Sequence, residues 1–338
     1  MTSPAQPVRA IEADNVRKTY PGGVRALDGL SFGVEHGTVF GLLGPNGAGK
    51  STTIKILTTL ARPDSGSVRV AGHDALRHPD RVRRAIGVVS QRSGADPMTT
   101  GRDNLILQGR LYGLRGAALR DRVEALLGRF DLVRAAGREV RTYSGGMQRR
   151  LDVALSMVHT PQVLFLDEPT TGLDPESRAA MWDEIERLVS DHALTILLTT
   201  HHLEEIDRLA HRLAIVDQGR IVVTGTPEEL KGELRGDAVR IELRSTPDAG
   251  EEQLARHALA TLPGLREISV DGRRLSARAD EGAAAVPPAL AALGRAGLEV
   301  AAVTIARPSM DDVYLRHVGR RSLLTEPAGG LETVGAAR

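Results

Sequence analysis

Eight residues, Gly44-Pro45-Asn46-Gly47-Ala48-Gly49-Lys50-Ser51, lie between an apolar run, Val39-Phe40-Gly41-Leu42-Leu43, and a helix-like run from Thr52 to Leu60. Strand, GxxxxGK[ST] and helix in that order form a phosphate-binding loop, which commits the chain to an α/β core. Glycines let the main chain curl until successive N–H groups point at phosphate oxygens, and the helix N-terminus adds partial positive charge. Lys50 is expected to reach the β- and γ-phosphates of ATP, with the Ser51 hydroxyl on Mg²⁺ and Thr52 beside it at the start of the helix. A Gly-rich turn before an ordinary helix has the same local look. Two downstream segments separate the readings: Tyr143-Ser144-Gly145-Gly146-Met147, and Val163-Leu164-Phe165-Leu166-Asp167-Glu168. Together the three predict an ATPase.

Asp167 follows four apolar residues and so belongs at the carboxyl end of a buried strand, where open α/β sheets bind ligands. A carboxylate there can hold Mg²⁺ beside Ser51. Glu168, one residue on, points elsewhere and is suited to polarise an attacking water as general base. Ser144 reads as the N-cap of an amphipathic helix, 145–158, with Met147, Leu151, Ala154, Leu155 and Val158 on one face. Gly145 and Gly146 expose N–H groups at the positive end of that helix, a second phosphate-binding terminus. Because the first loop already cradles one nucleotide, a second terminus suggests a composite site between two copies.

Composition removes other classes. The 338-residue chain has no cysteine, which excludes disulfides, thiolate metal sites and cysteine nucleophiles. Net charge is +1, so no global field draws it to nucleic acid or an anionic membrane. Of its 44 basic residues only Lys18, Lys50, Lys55 and Lys231 are lysine. The arginines are scattered among acidic residues, which reads as composition bias rather than phosphate recognition. No run approaches the ~18 apolar residues of a membrane span, and Met1 to Pro7 lacks the regions of a signal peptide. The expectation is a soluble, cytoplasmic chain that meets a membrane only through a partner.

Residues 11–35 read as strands broken at Pro21-Gly22-Gly23. Strand 39–43, helix 50–60 and strands 67–72 and 86–90 follow, then helical pattern from 100 to 130, split by Gly113 and Gly116. Strand 163–166, helix 176–190 and strand 195–199 make a βαβ unit. Helix 203–210, a hairpin turning at Asp217-Gln218-Gly219-Arg220 and a closing helix at 228–234 complete a nucleotide-binding domain over 8–235, with a helical subdomain at about 92–160. Beyond Gly236-Asp237 the order is βαββαβ, a small α+β domain over 236–318 that fits a ferredoxin-like fold, although Pro287-Pro288 weakens its second helix. Residues 319–338 read as a disordered tail.

The three motifs, in this order and spacing, resemble an ABC-transporter nucleotide-binding subunit over about residues 8–232. The resemblance implies further roles. Tyr20 matches the aromatic that stacks on adenine. Gln91 matches the glutamine that touches Mg²⁺ and faces the membrane subunit. Asp174, in Gly172-Leu173-Asp174, matches a loop that crosses the dimer, and His201 the histidine that contacts the γ-phosphate. Taken singly, each is commoner as a core, surface or turn residue. His202 beside His201 is not a metal pair, since adjacent residues at a helix start diverge. Met147 departs from the family's usual glutamine. With Tyr143 it is similar to daunorubicin-resistance (DrrA-type) ATPases, which energise ABC-2 type exporters. Arg149, Arg150 and Asp152 in the continuation, and Pro308-Ser309-Met310-Asp311-Asp312-Val313-Tyr314-Leu315, are similar to the same group. The resemblance implies a homodimer sandwiching two ATP molecules, docked through a groove near Gln91 and Ser93 to Tyr112 on a multi-span permease at the cytoplasmic face. It implies efflux of a drug or antibiotic, while relatives move lipids, polysaccharides or peptides. A ribosome- or DNA-acting ATPase is disfavoured by the single phosphate loop, the short spacing from Lys50 to Val163 and the near-neutral charge.

Overall fold

The computed structural model describes residues 9–192 and 194–319, which fall into two compact units, 9–227 and 228–319. The first opens with a hairpin, β1 (Arg9–Tyr20) and β2 (Val24–Glu35), followed by β3 (Val39–Leu43), α1 (Lys50–Leu57), β4 (Ser65–Val70), β5 (His73–Asp74), α2 (Pro79–Ala85) and β6 (Ile86–Val89). A helical layer follows: α3 (Gly101–Leu111), α4 (Gly116–Arg129) and α5 (Gly145–Ser156). The chain then returns to the core through β7 (Val163–Asp167), α6 (Pro175–His192), β8 (Thr195–Thr200), α7 (Leu203–Leu209), β9 (Arg212–Asp217) and β10 (Arg220–Gly225).

Two sheets form. One is antiparallel, in the order β2-β1-β4-β5. The other runs β10-β9-β3-β8-β7-β6 and is parallel except for its β10 edge. Its central strands are apolar runs buried along their whole length, as strands covered on both faces require. Side chains from both sheets meet in one core, where Phe32 stacks on Phe40 at 5.4 Å. Parallel pairing aligns the carboxyl ends of β3, β8, β7 and β6, so four successive loops open on one edge. The expected βαβ unit is β7-α6-β8, with its strands adjacent. The pattern from 100 to 130 breaks where expected, Gly113 and Gly116 both taking positive φ. Not anticipated was α2, whose two buried residues, Val82 and Ala85, are too few to show a period.

The second unit begins within α8 (Pro227–Gly232), at Glu228, ahead of the expected Gly236-Asp237 boundary. Leu230 and Leu234 are buried, Glu233 pairs with His317, and the Arg235 carbonyl accepts from Arg266, so this segment belongs to the later fold. Then come β11 (Asp237–Leu243), α9 (Ala249–Ala260), β12 (Leu265–Asp271), β13 (Arg274–Ala279), α10 (Gly282–Arg295), β14 (Val300–Ala306) and α11 (Met310–Val318). Strand order β12-β13-β11-β14, antiparallel at every pair, interleaves two split βαβ units. Pro287 and Pro288 sit inside α10, which continues through them because its Ala289, Ala292 and Leu293 face packs into the core. The segment Pro308 to Leu315 is α11: Asp312 closes a capping box with Ser309 and also takes Arg240 and Arg278, which fixes the helix to the sheet. Apart from Gly319, the expected 319–338 tail lies outside the described residues. Among those residues no helix is long and apolar enough to cross a membrane.

Candidate functional site

The loop after β3 is shaped by its glycines. Gly49 has φ +109°, and a Cβ there would stand 2.6 Å from the Ala26 carbonyl oxygen; at Gly44 it would meet the Val216 carbonyl at 2.3 Å. Neither position admits a side chain. Gly49 caps α1, leaving the first amides of Lys50, Ser51 and Thr52 at the helix N-terminus, while Thr53 N–H closes back on Gly49. Lys50 is 5% exposed; its Nζ donates to the carbonyls of Gly44 (2.6 Å) and Pro45 (3.2 Å) and lies 3.8 Å from Glu168 Oε1. Burial pushes its ammonium pKa down, against the opposing pull of Glu168 and Asp167.

Asp167 ends β7 beside Thr199 of β8. The fully buried Thr199 hydroxyl donates to Asp167 Oδ1 at 2.6 Å and also receives the Glu168 N–H at 3.2 Å. Glu168 takes a left-handed backbone, φ +50°, uncommon outside glycine. That turn swings its carboxylate away from Asp167, to within 3.4 Å of His201 Nδ1, while Thr171 donates to its other oxygen. Lys50, Asp167, Glu168 and His201 therefore converge at the ends of three adjacent strands, β3, β7 and β8. Ser51, Asp167 and Gln91 offer a hydroxyl, a carboxylate and an amide oxygen, the hard donors that suit Mg²⁺.

The remaining expected residues are more dispersed. Gln91 is exposed just past β6. Tyr20 ends β1, its ring under the Lys18 ammonium at 5.6 Å. Ser144 caps α5 through the Met147 amide, and Gly146 packs so closely on Ser177 that a Cβ would stand 2.6 Å from its hydroxyl. Asp174 caps α6, accepting from the Ser177 amide and hydroxyl, bonds that hold its carboxyl below the usual range. Met147 is half-buried, while Gln148 reaches the carbonyls of Val140 and Tyr143. His202 and His201 stand with ring centroids 4.1 Å apart, and among the described residues no group of His, Asp and Glu has the arrangement of a metal site.

Sequence reasoning passed over Thr199 and Glu205, and used Arg149 and Asp152 only as part of the resemblance, with no role at the site. Hydroxyls closing the otherwise apolar run Thr195 to Thr200 are a readable signal for Thr199. Arg149 carries none in so arginine-rich a chain.

A family model described as ABC transporter matches residues 27–171, and one described as ATP-binding protein DrrA1-3-like, C-terminal domain, matches 225–318. The chain is 47% identical over 314 residues to the daunorubicin/doxorubicin resistance ATP-binding protein DrrA of Streptomyces peucetius, covering 93% of this chain and 94% of that one. It is 40% identical to the Nod factor export ATP-binding protein I of Paraburkholderia xenovorans, covering 93% and 98%. Among solved structures, an ATP-binding cassette in a dimeric post-hydrolysis state with ADP and Pi superposes with a TM-score of 0.59 at 25% identity, covering 64% of this chain and 98% of that one.

Proposed function

The chain belongs to the ATP-binding subunits of ABC transporters, in the daunorubicin/doxorubicin-resistance group, and acts as the ATPase of an exporter; on that premise we propose how its residues do the work and what they serve. The carrying observation is the carboxylate of Glu168, set between Lys50 and His201 at the mouth of the phosphate loop. Lys50 and the amides of Gly44 to Thr52 bind the β- and γ-phosphates. Glu168 accepts the proton of the attacking water, and His201 holds the γ-phosphate side. Ser51, Asp167 and Gln91 would hold Mg²⁺, which offsets phosphate charge when bound. Tyr20 stacks on adenine.

Two copies close head to tail, each presenting Ser144, Gly145 and Gly146 to its partner's nucleotide and Asp174 across the interface. The permease is a separate multi-span subunit of ABC-2 type on which the chain sits at the cytoplasmic face. Support for its docking place comes from a cavity of about 350 Å³ beside the Gln91 loop, lined by Val88, Gly94, Gln108, Tyr112 and His159. Exposed Leu107 and Leu111 extend this apolar surface along α3. The cargo is an apolar drug or antibiotic of the kind named for the DrrA relatives, recognised by the permease. Glu168→Gln is expected to bind ATP and accumulate as a dimer by light scattering. An ATP-loaded variant that stays monomeric refutes the composite site.

A further inference from the structure

Arg149, on α5, is 7% exposed, and its hydrogen bonds all go to main-chain oxygens of two segments. Nη1 donates to the Ser90 carbonyl at 2.6 Å, immediately before Gln91. Nη2 donates to the carbonyls of Asp167 (3.1 Å) and Glu168 (3.2 Å), and Nε to that of Pro169 (2.8 Å). Three residues on, and so on the same helix face, Asp152 Oδ1 accepts from the Ser93 hydroxyl (2.7 Å) and the Gly94 amide (3.1 Å), just past Gln91. The Gln91 loop is thus held on both flanks, and the left-handed turn at Glu168 from its carbonyl side, by one face of one helix. The N-terminus of that helix is Gly145, one turn before Arg149.

We propose that Arg149 and Asp152 are positioning residues that tie the Gln91 loop and the Glu168 turn to the Ser144-Gly145-Gly146 helix, so that a shift of the helix moves both. The proposal rests on the roles given above to Gln91 and Glu168. A rigid planar fork is needed to meet four carbonyls from two segments at once, and a lysine ammonium at the end of a flexible stem does not reproduce it. Glu168 pays for its unusual φ through surrounding hydrogen bonds, and Arg149 supplies one of them from outside the strand that carries it.

The test uses the full-length chain with Arg149→Lys, Asp152→Ala, Asp152→Asn and Glu168→Gln. It reads ATP affinity with a fluorescent analogue, ATP turnover, and amide hydrogen exchange over 90–95 and 167–171. Arg149→Lys is expected to keep ATP affinity while turnover falls about ten- to a hundredfold, the scale of a small misplacement at a reacting centre, and exchange rises in both segments. Asp152→Ala should loosen only 90–95, and Asp152→Asn, which keeps the acceptor oxygen, should restore it. Wild-type turnover and exchange in Arg149→Lys overturn the linkage, as does loosening confined to one of its two segments. If Arg149→Lys does not fold, Asp152→Ala carries the decision: unchanged exchange at 90–95 overturns the proposal. Wild-type turnover in Glu168→Gln instead refutes the assignment of Glu168, whereas the exchange measurements still judge the linkage.

Discussion

Replacing Thr199 by Val removes one buried hydroxyl while keeping the shape of the side chain. The hydroxyl donates to the Asp167 carboxylate at 2.6 Å and accepts the Glu168 N–H at 3.2 Å, but that N–H also reaches the Thr199 carbonyl at 3.1 Å. The amide therefore keeps a partner in the variant, and the loss falls on Asp167. A hydrogen bond to a charged group contributes about 1.5–3 kcal/mol. Asp167 is partly exposed and can rehydrate, which lowers the expected destabilisation to about 1–2 kcal/mol. Trp182 is the sole tryptophan and lies in the first unit, so its fluorescence during urea unfolding follows that unit without the second. The released carboxylate also turns more freely, and each 1 kcal/mol of lost restraint would raise the half-saturating Mg²⁺ for ATP hydrolysis about fivefold. Thr199→Ser keeps the hydroxyl and should retain the wild-type Mg²⁺ response while losing only methyl packing. Wild-type stability together with a wild-type Mg²⁺ response in Thr199→Val would refute the claim that this hydroxyl orients Asp167.

At Gly49, alanine must adopt φ +109° against the Ala26 carbonyl, so Gly49→Ala should cost at least about 1–2 kcal/mol in strain and abolish retention on ATP-agarose. Normal retention would show that the loop tolerates a rearranged turn. Glu205 is fully buried, accepting from Thr170 (3.0 Å) and Trp182 (3.3 Å), and burial is the chief cause that pushes its carboxyl pKa up. A folded pKa above the unfolded value means stability that is complete below the unfolded pKa and lost as pH rises through the folded one. Glu205→Gln should accordingly match wild type near pH 4 and gain in relative melting temperature towards pH 8; a difference independent of pH would contradict this. Gly146→Ala places a Cβ 2.6 Å from the Ser177 hydroxyl and should impair ATP-dependent dimerisation more than ATP binding, a contrast that light scattering and nucleotide titration would reveal.

The sheet was legible because its strands are long apolar runs punctuated by motif residues, and parallel pairing then requires their carboxyl ends to meet. Asp167 and Glu168 could be assigned different directions from adjacency alone, and the structure adds the reason, the left-handed turn at Glu168. Asp174 shows where local chemistry is ambiguous: an aspartate ahead of Pro175 caps α6 in this chain, and the same carboxylate is proposed to face a partner, two roles that no spacing separates. Arg149 was illegible for a different reason. Its importance lies in carbonyls of Ser90, Asp167, Glu168 and Pro169, which every residue type possesses, so the sequence at the receiving end carries no mark of the contact. Side chains that act on main-chain groups leave half of the interaction unwritten. The linkage between the phosphate-facing helix and the loops it holds is of this kind, which is why it emerges only once the strands that carry those carbonyls have been placed.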